Sequence, residues 1–172
     1  SDVYKRQTNV KHVSVIGSKN NVTNTNGAVV FGDKRTLTGA DGSVVIGSSQ
    51  NGTSTSVKNA VAIGSEANVT KEGGVALGAG SVASVDKGVA GYDPGTGTNS
   101  TDTSSVWKST QAAVSVGDAS KGITRQITGV AAGAADTDAV NVAQLKKVEA
   151  KAEAAEKKHT TCLLYTSDAA DD

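Results

Sequence analysis

Residues 60–65 read AVAIGS, and the same cadence returns along the first two thirds of the chain. It stands as VSVIGS at 13–18, VVFGD at 29–33, SVVIGS at 43–48 and GVALGA at 74–79, with a later AVSVGD at 113–118. The glycines that close the first five runs, Gly17, Gly32, Gly47, Gly64 and Gly78, are 15, 15, 17 and 14 residues apart, and Gly117 closes the last run. A near-fixed period of this length is the signature of a solenoid, in which each repeat is one coil that buries its apolar face only by stacking on its neighbours.

Within each run apolar residues alternate. The residue before the glycine is Ile16, Phe31, Ile46, Ile63, Leu77 or Val116, and two positions earlier stand Ser14, Val29, Val44, Val61, Val75 and Val114. A spacing of two places both positions on one face of a short strand. We take that face as the core of the coil, formed by Ile16, Val29, Phe31, Val44, Ile46, Val61, Ile63, Val75, Leu77, Val114 and Val116. The intervening Val15, Val30, Val45, Ala62, Ala76 and Ser115 then point outward, and because this position too is mostly apolar, something outside the coil must cover it. The glycines read as turns with positive φ. Five residues past the glycine a second apolar residue precedes Thr, at Val22, Leu37 and Val69, with Val82 one place early. A coil of about 15 residues at roughly 3.3 Å per residue holds two short strands and two turns, so the expected fold is mainly β, a flattened parallel β-roll. Extra material at 48–59 and 91–110 is expected to form surface loops, with Tyr92 and Trp107 packing over the last coil.

Composition agrees with a thin fold. The 172 residues include 20 Gly, one Pro, no Met and 3% aromatics, too little bulky apolar side chain for a thick core around a deep pocket. Seventeen basic and seventeen acidic residues cancel, so no electrostatic capture of nucleic acid or anionic lipid is expected. No run of about 18 apolar residues occurs, and residues 1–7 lack the apolar stretch of an export signal.

Both ends depart from the repeat. SDVYKRQ at 1–7 and TCLLYTSDAADD at 161–172 share no pattern with the rest and hold two of the three Tyr and the single Cys, Cys162. They read as adapter-derived tails outside the fold, the first of them disordered. The expected organisation is therefore a tail at 1–7, head coils over 8–118, a neck over 119–145, the start of a stalk at 146–160 and a second tail at 161–172.

After Gly117 the repeat stops, and residues 123–147 read ITRQITGVAAGAADTDAVNVAQLKK. From Asp138 the composition predicts a helix, with Leu145, Val148, Ala152 and Ala155 spaced three, four and three apart as a coiled-coil seam requires. The neck is carried by Arg125, Gln126 and Ile127, by Val130, Ala131 and Gly133, by Thr137, Asp138, Ala139, Val140 and Asn141, and by Gln144 and Leu145. With these residues and the AVAIGS repeat the chain resembles the YadA-like trimeric autotransporter adhesins over nearly all of 8–158.

The resemblance implies a left-handed roll, trimeric, with three chains packed side by side and each neck crossing to a neighbour as the head narrows to a coiled coil. It implies attachment of a bacterial surface protein to host cells or extracellular-matrix proteins, with a non-adhesive spacer of a surface fibre as the alternative. The localisation implied is the outer membrane and cell surface, with membrane contact only through a C-terminal anchor beyond this stretch. Gly129 stands where the family usually has Asn, and the loss of one side-chain hydrogen bond is expected there.

Chemistry of other kinds has little support in the residues. The two histidines, His12 and His159, lie far apart with no second ligand spaced around either, so no catalytic residue, metal or cofactor is assigned. Gly78 to Ser81 contains a lone GxG without a βαβ context, and a repeat turn explains it. A hexapeptide-repeat acyltransferase would need six-residue periodicity, which the 14 to 17 residue coil contradicts. An ice-binding solenoid would need a fuller threonine array than Thr23, Thr38 and Thr70 provide. Four Asn-x-Thr/Ser sequons, at Asn21, Asn51, Asn68 and Asn99, follow from an Asn/Thr-rich composition.

Overall fold

The computed structural model describes residues 5–168. The strands, in chain order, are β1 (Lys5–Thr8), β2 (Ser14–Ile16), β3 (Asn20–Thr23), β4 (Val29–Phe31), β5 (Arg35–Thr38), β6 (Val44–Ile46) and β7 (Thr53–Thr55). They continue with β8 (Val61–Ile63), β9 (Asn68–Val69), β10 (Val75–Leu77), β11 (Val82–Ala83), β12 (Tyr92–Asp93), β13 (Thr98–Asn99) and β14 (Val114–Ser115), and a short 3-10 turn (Ala119–Lys121) and one α-helix, α1 (Val142–Asp168), follow. The chain divides after Arg125 into two compact units, the roll and the neck with its helix.

The roll is a parallel β-solenoid. One wall is a six-stranded sheet in the order β14-β10-β8-β6-β4-β2, the other a four-stranded sheet in the order β1-β3-β5-β7, with β9 and β11 paired beyond it. Equivalent residues of successive repeats pair directly, Val30 with Val45, Val45 with Ala62 and Ala62 with Ala76. The turn glycines explain why. Gly17, Gly32, Gly47, Gly64 and Gly78 have φ of 120, 144, 121, 134 and 98°. A Cβ on Gly32 would lie 2.5 Å from the carbonyl oxygen of Gly47 in the next coil, so the residue must lack one for the coils to stack. Gly117 differs. It lies outside the positive-φ set, and what excludes a side chain there is the backbone of Ile123.

The alternation of the strands is as the sequence indicates, but its phase is inverted. Val30, Val45, Ala62 and Ala76 are fully buried, whereas Ile16, Phe31, Ile46, Ile63 and Leu77 are exposed, as is Val114. Val29, Val44, Val61 and Val75 are half-buried on the same outer side, and Val116 lies just past β14. The physical reason is thickness. The interior is closed by Val30, Val45, Ala62 and Ala76 from one wall and Val22, Leu37, Val69 and Ala83 from the other. Close-packed interiors reject extra volume, and at this wall the lumen takes Ala and Val while Ile16, Phe31, Ile46, Ile63 and Leu77 stay outside; the one large aliphatic side chain inside, Leu37, comes from the opposite wall.

The interior also holds polar groups that the apolar pattern does not reveal. Asn20 is buried, donates from Nδ2 to the Gly32 carbonyl at 2.7 Å and accepts the Arg35 N–H at 2.9 Å. Arg35, 1% exposed, donates to the carbonyls of Gly47 at 2.8 Å, Ala67 at 3.0 Å and Gly64 at 3.3 Å. Its guanidinium thus ties the Gly47 turn to the turn that runs from Gly64 to Ala67 from within, pairing with interior carbonyls.

Several expected boundaries move. Lys5, Arg6 and Gln7, assigned to a disordered tail, lie in β1 and pair with Asn20, Asn21 and Val22. An open sheet edge accepts any extended backbone whatever its side chains, and exposed Gln7 occupies the register that Val22 and Leu37 use for the core. Residues 161–168 of the second tail continue α1, while 1–4 and 169–172 lie outside the described residues. The stretch 48–59 is not simply a loop, since it contains β7, the second strand of its own coil. The 91–110 insertion does leave the roll, carrying the antiparallel hairpin of β12 and β13. Within it Tyr92 is 64% exposed, so it does not close the last coil, and Trp107 is half-buried.

Candidate interaction surface

The outward face of the six-stranded sheet carries two apolar ladders. Ile16, Phe31, Ile46, Ile63 and Leu77 pair in unbroken register from β2 to β10. Beside them run Val29, Val44, Val61, Val75 and Val114, with Ser14 at the β2 end. Neighbouring strands stand about 4.8 Å apart and residues i and i+2 share a face, so these side chains form one continuous strip. Phe31, Ile46, Ile63 and Leu77 are 36–39% exposed and Ile16 is 61% exposed. Scattered apolar side chains on a surface are ordinary, whereas a contiguous in-register strip marks a contact surface.

Polar turns hold the strip in register. Asp33 accepts the Ser18 N–H at 2.6 Å and the Ser18 hydroxyl at 3.0 Å, while its own N–H donates to Ser48 Oγ. The Ser18 bonds hold the Asp33 carboxyl below its ordinary pKa. Glu66 does the same work two coils on. It accepts from the Gln50 N–H and from the hydroxyls of Ser49 and Thr53, and these bonds, led by that of Gln50, lower its pKa.

Arg125 closes the end of the roll. Its guanidinium donates to the carbonyls of Val116 at 2.6 Å and Ala79 at 2.7 Å and to Ser81 Oγ at 3.1 Å. It occupies the space above Gly78 where the next coil's turn would lie, and a Cβ on Gly78 would meet it at 2.9 Å. Ile123 packs in the same manner over Gly80.

In the second unit the neck residues organise around Gln144 and Asn141. The Asn141 side chain accepts the Gln144 N–H at 3.1 Å, while Gln144 Oε1 accepts the Asn141 N–H at 3.2 Å. This reciprocal pair is a capping box at the start of α1. The helix therefore begins at Val142 and not at Asp138, whose carboxylate instead accepts the N–H groups of Ala134 and Ala135 and is held below its ordinary pKa by them. Gln144 also clasps Gly133 through both its N–H and its carbonyl, and Asn141 donates to the Val130 carbonyl. Gln126, Ala131, Thr137 and Ala139 are exposed, as are the apolar Ile127, Val140 and Leu145. Gly129 has φ of 72°, a left-handed conformation open to Gly and Asn alike.

Among the described residues, no cluster of three or more potential metal-ligating side chains occurs within the chain, and no helix is long and apolar enough to cross a membrane.

The family described as the coiled stalk of trimeric autotransporter adhesin matches residues 126–160. The chain is 65% identical over 72 residues to autotransporter adhesin BadA of Bartonella henselae, a match covering 42% of this chain and 2% of that protein. It is 58% identical over 71 residues to trimeric autotransporter adhesin AtaA of Acinetobacter sp. (strain Tol 5), covering 40% of this chain and 2% of the other. The chain thus spans a small part of the length of these relatives. The C-terminal YadA-like domain of a Burkholderia pseudomallei protein is similar at 33% identity with a TM-score of 0.48, covering 62% of this chain and 49% of that one. Over these stretches the chain is similar to trimeric autotransporter adhesins, and its residues 126–160 match the coiled stalk of that family.

Proposed function

We propose that this chain forms a homotrimer on the bacterial surface, held at the outer membrane by a C-terminal anchor beyond this stretch, and that it mediates attachment to host cells or extracellular-matrix proteins. The observation that carries the reading is the two-column apolar strip on the six-stranded sheet, which a single chain leaves wet. Packing three rolls with these strips facing inward removes them from water, and each apolar side chain so covered contributes up to about 1.5 to 3 kcal/mol. The exposed seam residues Leu145 and Val148 call for the same partners along α1.

Three identical outer faces then make adhesion multivalent, converting weak contacts into avidity gains of about 10² to 10⁴ when they engage together. The other wall of the roll and the 91–110 hairpin are the surfaces left free for a ligand. The alternative is a non-adhesive spacer of a surface fibre. The two readings separate on coated beads. Beads carrying the trimer are retained on matrix proteins or host cells more strongly than beads carrying a monomerised variant if the segment is adhesive. Equal retention, or none, assigns it to spacing.

A further inference from the structure

Among the described residues, no group of three or more His, Cys, Asp or Glu side chains within one chain could hold a metal ion. Helix α1 runs unbroken from Val142 to Asp168, and the seam of Leu145, Val148, Ala152 and Ala155 continues at the same alternation of four and three to His159 and then Cys162. Ala152, Ala155 and His159 border one common face of the helix. In a parallel three-helix coiled coil, seam side chains from all three chains meet at the axis.

We propose that, in the trimer, the three copies of His159 form one layer across the axis that binds a single divalent transition-metal ion, zinc serving as the test ion. The site rests on the trimeric reading given above. Three imidazoles, one nitrogen from each chain, supply three of the four positions of a tetrahedral zinc and leave the fourth for water. The two layers above, Ala152 and Ala155, are small, so the helices run close and the rings are held near the axis. Without metal, the layer places three polar rings in a seam with few partners, a poor choice for an apolar interface. Nitrogen donors favour zinc, nickel and copper over magnesium and calcium.

The test uses the full chain without a histidine tag, its oligomeric state measured in the same samples by sedimentation. The expected result is one zinc bound per three chains, with a rise in the melting temperature of the helix, and no response to magnesium. Both effects persist in His12→Ala and Cys162→Ser. Both vanish in His159→Leu, which keeps the seam apolar and the trimer intact. A trimer that takes up no zinc, takes up one zinc per chain, or keeps its zinc in His159→Leu overturns the site and leaves the trimer standing. A monomer overturns both.

Discussion

Phe31 lies in register with Ile46 across β4 and β6, and both side chains leave the roll on the side opposite Val30 and Val45. That relationship separates the forces that fold one coil from those that join chains. Val30 and Val45 serve the first and, in the proposed trimer, Phe31 and Ile46 the second, although the two pairs are adjacent in sequence and alike in polarity.

Substitution at the two phases therefore has different consequences. Val45→Asp places a carboxylate without a partner in the interior and is expected to destabilise the roll by about 3 kcal/mol or more. Ile46→Asp leaves the coil's secondary structure in place and lowers the oligomeric state. Circular dichroism with sedimentation on both variants checks this. Equal unfolding by the two would remove the distinction.

Gly32→Ala forces a Cβ to within 2.5 Å of the Gly47 carbonyl at a φ of 144°. Strain of this kind costs of order 1 to 3 kcal/mol, and the added steric conflict makes that a lower bound. Gly39→Ala is the matched control, because φ is also positive there but no atom lies within 4 Å of the added methyl. Denaturant melts should show the larger loss at Gly32.

The coil, its two strands and its turn glycines were legible because period and alternation follow from backbone geometry. The phase was not, because hydrophobicity is the same on both sides of β4, β6 and β8. Side-chain size carried the missing signal. Ala62 and Ala76 fall on the face that narrows to alanine, and Ile63 and Leu77 on the face that does not. Arg35 was hidden because a charged residue reads as solvent-facing, yet it stands two residues before Leu37, as Asn20 stands before Val22. The helix start was available in the Asn141 and Gln144 spacing, which outranks Asp138 once both halves of a capping box are sought. At Gly129 the expected loss of a hydrogen bond is offset by a φ that glycine adopts freely.

Acid should loosen the roll. Asp33 and Glu66 have folded pKa values below their ordinary 3.8 and 4.5, so the stability they contribute is complete above those values and is lost as pH falls through the depressed ones. Melting temperature is thus expected to hold from neutral pH to about 5 and to fall below about 4. Glu66→Gln, which never carries the charge, lowers stability at neutral pH and flattens the acid limb. An unchanged acid limb would remove Glu66 from the account.

Asn141→Ala removes the cap of α1 together with the bond to Val130. The expected loss is about 1 kcal/mol, within the range of N-cap deletions, and Asn141→Ser should recover part of it. Thermal melts of the helical signal measure both.

That the apolar strip is covered by two further copies of the chain is the central proposal, and sedimentation equilibrium on the chain and on Ile46→Asp/Ile63→Asp tests it most directly. Three times the chain's mass is expected for the first, and a smaller species with its β-signal retained for the second. A folded monomer of the unsubstituted chain, or a trimer that survives both aspartates, contradicts it.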